Sequence, residues 1–396
     1  MLCVHLGPGR LGLGLVLDTV LSLADLEVCL IGASDRSHEE VVEYEIAFIG
    51  ETGDPQARRV TWAGNPAVVT DLDEPVLDRL RSDEPVLITR SLAHQASDRE
   101  GLLRDILAQR PARAETVVLA CENDPDPMYA AVTDEYPRVH YCACVMDRVV
   151  NWNDPCRHAD GRRRVIAHPL GQWVIWHPKP DESEVIKRLR GAPYVVVVEH
   201  EDLLAGYRKR RQWAVNGVRL VMALSTRLPG TDALPPENQP YDELQESVRP
   251  LMAIVLEAIA REHPELPPDN EFVAERMRVF RETPNSAVRI LEKRLVRADL
   301  RALMQHVDAC IGEAAREAQR LRISCEQFEG VVDLLLETLK DRTAYFDYPV
   351  WANLDPYVDA EVVRQFQDVI SEWMDPTRAL RAYNRLNHLL STHRSA

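Results

Sequence analysis

The apolar run LCVHL at residues 2–6 leads directly into Gly7-Pro8-Gly9-Arg10-Leu11-Gly12, and an apolar stretch of helical period follows to about Leu23. This junction limits the fold more than any other stretch of the chain. A buried strand, a G-x-G-x-x-G turn and a helix, in that order, form the context in which the glycine spacing carries meaning. The first glycine makes the tight turn. The second lets the backbone approach a pyrophosphate, and the third lets helix and strand pack closely. The anion then rests on the helix N-terminus, where free N–H groups and the helix dipole favour it. Gly7, Gly9, Arg10, Leu11 and Gly12 are therefore expected to contact the diphosphate of a dinucleotide.

The residues that follow keep alternating between strand and helix. EVCLIG, PVLITRS (85–91), TVVLACEN (116–123) and RRVIAHPLGQWVIW (163–176) read as strands, with RVTWAG and AVVTD as weaker ones, and GLLRDILAQR reads as a helix. Such alternation predicts a parallel sheet with crossovers, a Rossmann-type doubly wound α/β domain. The pattern changes near Pro178. From DLLAGYRKRRQWAVNGVRLVMALST onward nearly every segment carries apolar residues at three- and four-residue spacing, with PGTDALPPENQP (229–240) as a loop. The expected organisation is a dinucleotide-binding domain over 1–178 and an all-helical substrate-binding domain over 179–396, and 396 residues are ample for two domains.

The end of the second strand usually selects the cofactor. NAD binders place a carboxylate there for the ribose hydroxyls, whereas NADP binders supply an arginine. Here the sequence reads Ile31-Gly32-Ala33-Ser34-Asp35-Arg36. Ser34 and Arg36 would suit a 2′-phosphate, so NADP is favoured, and Asp35 keeps NAD open. Glu122 and Asn123 end a strand at the carboxyl edge of the sheet, where ligands bind in open α/β folds, and are expected to touch the cofactor.

Composition narrows the partners. The net charge of −16 gives little reason to bind a polyanion, which argues against nucleic acid. No apolar run is long enough to span a bilayer, and MLCVHLGPGR lacks the basic and small-residue pattern of a secretory leader. The eight cysteines form no C-x-x-C pair and several sit in apolar runs, so a reduced, cytoplasmic protein is expected. His140, Cys142 and Cys144 alternate as in a strand but fit no common zinc spacing, and they read as core.

Four stretches together resemble the polyol-specific long-chain dehydrogenases, the family of the mannitol-1-phosphate and mannitol dehydrogenases. They are HLGPGRLGLG, LACEN (119–123), VMDRVV (145–150) and RKRRQWAVNGVRLVMAL, the last aligned with a K-x-x-x-x-N-x-x-H helix. The resemblance implies a Rossmann domain plus a helical substrate domain with the active site between them. It also implies metal-free, NAD(P)-dependent oxidation of a secondary alcohol by a lysine base, with an asparagine and a histidine orienting the reacting oxygen.

Only one of those three side chains is present. Asn216 matches, but the lysine position holds Arg211 and the histidine position holds Arg219. Ala143 also stands where the family has a polar residue. Arginine stays charged at every working pH and cannot accept a proton from an alcohol. Lys209, seven residues before Asn216 and so close to two helical turns away, is one alternative base, and His168 is another. Three readings stay open: an oxidoreductase with a different base, a nucleotide- and anion-binding protein without hydride transfer, or a different chemistry on an anionic substrate. Arg211 and Arg219 favour an anionic small molecule, a sugar phosphate or sugar acid, since arginine recognises such groups bidentately. Asp147 and Arg148 read as a structural ion pair, and the RKRR run (208–211) as a solvated helix face apart from Arg211.

Overall fold

The computed structural model describes residues 1–7, 12–23, 25–31, 40–48, 56–62, 72, 74–91, 100–121, 135–136, 138–151, 163–225, 241–266, 305–323 and 327–333, together with 272, 274–276, 278–279 and scattered positions between 364 and 385. The chain divides into two compact units, Met1–Arg208 and Lys209–Ala396.

The first unit is built on strands β1 (Leu2–Leu6), β2 (Glu27–Ile31), β3 (Glu40–Phe48), β4 (Gln56–Trp62), β5 (Val86–Arg90), β6 (Thr116–Ala120), β7 (Val139–Asn151), β8 (Arg163–Trp176) and β9 (Val195–Val198). Their order in the sheet is β3-β4-β2-β1-β5-β6-β7-β8-β9. From β4 to β7 every neighbouring pair is parallel. Counting only those six strands along the chain gives the order 3-2-1-4-5-6, which is the doubly wound dinucleotide-binding arrangement. The expected α/β domain is borne out, and so are the strands read at 2–6, 86–90, 116–120 and 163–176.

Strand pleating explains the apolar runs. Cys3 of β1, Val28 and Leu30 of β2, Leu87 of β5, Val117 and Leu119 of β6, and Cys142, Cys144 and Met146 of β7 share one core. Leu2, Val4 and Leu6, Cys29 and Ile31, Val86 and Ile88, and Val118 share the other. Alternate residues enter opposite cores, so a sheet covered on both faces reads as continuous hydrophobicity. One face carries the helix α1, which runs as Gly12–Leu17 and then Asp18–Val20, and also α4 (Glu184–Arg190). The other carries α2 (Glu74–Leu80) and α3 (Glu100–Gln109). Cys142 and Cys144 are core side chains, and burial pushes the Cys142 thiol well above its ordinary pKa.

Two features depart from expectation. The sheet continues past the expected boundary at 178, because β9 pairs in parallel with β8, and the units part at Arg208/Lys209, in the last turn of α5 (Glu201–Lys209). In addition, β3 pairs antiparallel with β4 and parallel with the start of β8, Tyr44 with Arg163 through Phe48 with Ala167, so the sheet curls back on itself. The weaker strand expected at AVVTD lies outside the described residues.

The second unit is helical where it is described, as expected. It contains α6 (Arg210–Gly217, passing into Val218–Ser225), α7 (Tyr241–Glu262) and α8 (Asp308–Gly312, passing into Glu313–Arg320). Arg210–Gly217 and Asp308–Gly312 are wound with the wider i→i+5 turn and pack on each other. A Cβ on Gly217 would lie 2.7 Å from the Cys310 carbonyl oxygen, so only glycine lets these two segments approach as they do. Among the described residues no helix is long and apolar enough to cross a membrane.

Candidate functional site

In a 3-2-1-4-5-6 sheet the strand order reverses between the first and fourth strands, here β1 and β5, and ligands bind in the crevice beyond their carboxyl ends. The ladder runs one residue past each strand there. The Gly7 N–H donates to the Ile31 carbonyl at 2.8 Å, Ser91 to Leu6 at 2.9 Å and Cys121 to Arg90 at 2.9 Å. Gly7 then turns with φ of 100°, a conformation glycine adopts without a Cβ penalty. Helix α1 begins at Gly12. A Cβ on Gly12 would lie 2.5 Å from His5 Nε2 and 2.9 Å from the Gly7 carbonyl oxygen. One on Gly14 would lie 2.7 and 2.8 Å from the two methyls of Val150. Bare glycine backbone is thus what lets the helix start directly against the strand end.

His5 is fully buried beneath this turn, on the sheet face that carries α1. Its Nδ1 lies 2.7 Å from Thr89 Oγ1 of β5, and the Gly7 backbone is its other polar neighbour, outside strict hydrogen-bond geometry at Nε2. Burial holds the ring pKa down to about 4 from an ordinary 6.5, with the Gly7 carbonyl opposing the shift, so the ring is neutral at working pH. Sequence reading passed over this histidine; its signal was a polar residue in the last turnward-facing position of an otherwise apolar strand. The depressed pKa has a consequence for stability. Between pH 6.5 and pH 4 the unfolded chain binds a proton at His5 that the folded chain refuses. Stability from this group is therefore complete above pH 6.5 and is lost as pH falls towards 4, by about 3 kcal/mol in all. Denaturant midpoints of wild type and His5→Gln from pH 7.5 to 4.5 should converge as the pH drops; a gap that stays constant would mean that the ring is not buried neutral.

Behind the turn, Asp18 and Arg148 form a buried ion pair, Nη1 to Oδ2 at 2.8 Å. Arg148 also donates to the Gly14 carbonyl at 2.6 Å, to the His168 carbonyl at 2.8 Å and to the Tyr194 hydroxyl at 3.3 Å, with its guanidinium 4.5 Å from the Tyr194 ring centre. Arg58 of β4 bonds the second Asp18 oxygen at 2.8 Å. The ion pair expected at Asp147-Arg148 is therefore met by a different carboxylate. Neighbouring residues on a strand project to opposite faces, and Arg148 projects towards α1. His168 is not placed to act as a base. It is fully buried in an irregularity where β8 passes β7, its Nδ1 accepts from the Leu170 N–H at 3.1 Å, and its carbonyl serves Arg148.

The helical unit holds the remaining expected site residues. Lys209 Nζ is ion-paired with Glu262 Oε2 at 2.5 Å and lies 5.5 Å from the centre of the Trp213 ring. Arg211, Asn216 and Arg219 are half-buried, and both arginines already have polar or electrostatic partners. The two-turn spacing expected between Lys209 and Asn216 does not hold, because Arg210–Gly217 is wide-wound. Nor is the RKRR run a solvated face: Arg210 is buried, 4.3 Å from the centre of the Phe272 ring, and its three neighbours are half-buried. Gln212 donates to the Ala309 carbonyl at 2.7 Å and Trp213 to Glu313 at 3.4 Å, which fixes α6 on α8. Gly9, Arg10, Leu11, Ser34, Asp35, Arg36, Glu122 and Asn123 lie outside the described residues. Among the described residues no group of three or more His, Cys, Asp or Glu side chains gathers as a metal site.

No known family profile matches the sequence. No curated protein matches it either. Solved structures show a partial likeness. A ketopantoate reductase from Staphylococcus aureus is 12% identical, with a TM-score of 0.43 over 86% of this chain and 100% of that one. A PanE/ApbA family ketopantoate reductase from Ralstonia eutropha JMP134 is 18% identical, at 0.43 over 84% and 96%. D-mandelate dehydrogenase with NADH and anilino(oxo)acetate is 13% identical, at 0.43 over 85% and 97%. Likeness at that level carries no argument about activity, and the fold rests on the molecule's own strand order. With β4-β2-β1-β5-β6-β7 all parallel, Gly7 turning at the switch point and Gly12 opening α1, the chain has a Rossmann-type fold followed by a helical unit.

Proposed function

We propose that this protein is an NAD(P)-dependent oxidoreductase that moves a hydride between a nicotinamide cofactor and a secondary alcohol or ketone of an anionic sugar derivative, as the mannitol-1-phosphate and mannitol dehydrogenases do on neutral or phosphorylated polyols. One observation carries the nucleotide half of this reading: the turn at the β1/β5 switch point has glycine where φ is positive and again where a Cβ would strike the strand end. Gly7 turns at the strand end and Gly12 lets α1 start close against it, the arrangement in which a helix N-terminus receives a diphosphate. The nicotinamide, when bound, takes or gives the hydride. NADP is favoured by Ser34 and Arg36, with Glu122 and Asn123 as further contacts. NADP should bind roughly ten- to a hundredfold more tightly than NAD, and Arg36→Ala should erase most of the difference. Calorimetric titration of both nucleotides reads this directly, and a wild type that prefers NAD would assign the ribose to Asp35 instead.

Arg211, Asn216 and Arg219 are proposed to hold the substrate. Two guanidinium groups on one helix of an acidic protein favour a phosphate or carboxylate, which would join or displace their existing contacts. In thermal-shift measurements with nucleotide present, sugar phosphates and sugar acids should stabilise the protein more than the matching neutral polyols. The response should vanish in the Arg211→Ala, Arg219→Ala double variant. Stabilisation by mannitol with no response to its phosphate or acid would refute the assignment.

A second reading is a nucleotide- and anion-binding protein without turnover. It is favoured by the fate of the alternative bases: Lys209 is ion-paired with Glu262 and His168 is buried in the sheet. Absorbance of the reduced cofactor, followed with a panel of sugar phosphates, sugar acids and polyols, separates the two.

A further inference from the structure

We propose that Gln212 is a positioning residue: its hydrogen bond to α8 holds the wide turn of α6 that sets Arg211, Asn216 and Arg219 in one row, the row that takes the phosphate or carboxylate of the substrate. The proposal rests on the anion-binding reading above and adds to it the residue that shapes the site.

The winding of the helix carries the argument. An ordinary helical turn stacks residues four apart, and the i→i+5 turn of Arg210–Gly217 stacks residues five apart. Burial follows the wider spacing. Arg210 and Val215 are both buried, at 4% and 2% exposed. Arg211 and Asn216 are both half-buried. Gln212 and Gly217 both meet α8, the first at the Ala309 carbonyl and the second against the Cys310 carbonyl. Ordinary winding would instead stack Arg211 on Val215, in the core. After Gly217 the helix returns to the ordinary turn, where residues three apart are neighbours, so Arg219 follows Asn216 on the same side. Within 210–220 the residues that are not buried are Arg211, Gln212, Asn216 and Arg219. Two guanidinium groups and an amide in one row present several N–H donors to the oxygens of a single anion.

Gln212 is the side chain that braces this turn. Its Nε2 donates to the Ala309 carbonyl at 2.7 Å, and Ala309 lies in the wide turn of α8, Asp308–Gly312. Each wide segment therefore lies against the other. Wide turns are rare in helices. Without the Gln212 bond the segment is free to tighten towards the ordinary turn, which would carry Arg211 away from Asn216 and towards Val215. Trp213 makes the neighbouring bond to α8, at 3.4 Å, but it reaches Glu313, past the wide turn of that helix. The two bonds thus separate the bracing of the turn from the docking of one helix on the other.

The test uses the full chain. Inorganic phosphate, mannitol 1-phosphate and gluconate, each with NADP present, and NADP by itself are titrated calorimetrically into wild type, Gln212→Met and Trp213→Phe. Methionine keeps the length of the side chain and removes the donor; phenylalanine keeps a packed ring and removes the other bond. Gln212→Met should weaken the best-bound anion roughly tenfold and leave NADP affinity unchanged. Trp213→Phe should leave both affinities within about twofold while lowering the thermal midpoint. Nitrogen NMR of the wild type with labelled glutamine needs no variant to fold: the Gln212 side-chain amide should exchange slowly and shift on saturation with the anion. If wild type binds none of the three anions, the anion reading falls and this inference falls with it. If wild type binds one of them and Gln212→Met binds it as tightly or loses NADP in the same proportion, only this inference is overturned. The same holds if Trp213→Phe loses as much anion affinity, or if the Gln212 amide exchanges as fast as one in open solvent.

Discussion

Replacing Asp18 by alanine should lower the free energy of unfolding of the first unit by about 3–5 kcal/mol, the cost of breaking a buried ion pair from one side. The Asp18 side chain is 4% exposed and that of Arg148 is not exposed at all. Arg148 would keep its bonds to the Gly14 and His168 carbonyls and the Tyr194 hydroxyl but lose the carboxylate that neutralises it. Arg58, 22% exposed, would lose the same partner and turn towards water at little cost. The pair ties α1 to β7, with β4 joined through Arg58, so the damage should extend to the packing beneath the glycine turn. Asp18→Asn should fall between wild type and alanine, because one oxygen can still accept. Removing both charges, as in Asp18→Leu with Arg148→Met, should cost less than the single alanine variant. Denaturant unfolding followed by circular dichroism measures all four. A loss below about 1 kcal/mol for Asp18→Ala would put the pair in the class of surface bridges and refute its anchoring role.

Gly12→Val should weaken NADP and NAD binding by more than about a hundredfold while costing about 1–3 kcal/mol of stability, the usual range for overpacking a tight contact. The new Cβ would arrive 2.5 Å from His5 Nε2 and 2.9 Å from the Gly7 carbonyl oxygen. Neither neighbour can give way easily. The ring is held at 2.7 Å by Thr89, and Gly7 is tied to Ile31 at 2.8 Å. The start of α1 must therefore retreat from the strand end, and with it the helix N-terminus proposed to receive the diphosphate. Gly101→Ala is the control: a Cβ there meets nothing within 4 Å, it lies in α3, and alanine should add about 0.5–1 kcal/mol of stability. Calorimetric titration, with far-ultraviolet circular dichroism to confirm folding, decides the point. Unchanged affinity in Gly12→Val would remove the clamp from the molecule.

Local sequence determined the element types. Apolar runs such as LCVHL and TVVLA are strands buried on both faces, and the glycine spacing after the first of them marks a strand–helix junction, because periods of two and 3.6 residues and the conformational freedom of glycine are properties of a few neighbouring residues. β3 was missed, although Tyr44, Ile46 and Phe48 alternate with Glu43 and Glu45 as strand residues do. What only the tertiary structure decided involves residues far apart in the chain. Arg148 finds Asp18 across 130 positions and His5 finds Thr89 across 84. β8 meets β3 as well as β7, β9 extends the sheet beyond Pro178, and Arg210–Gly217 widens its turn where Gly217 meets Cys310. The physical reason is that a periodicity says which face of an element is apolar, and many surfaces could cover that face equally well. Which carboxylate neutralises a buried arginine, or which hydroxyl meets a buried histidine, is decided when the chain closes its long loops and the core excludes water.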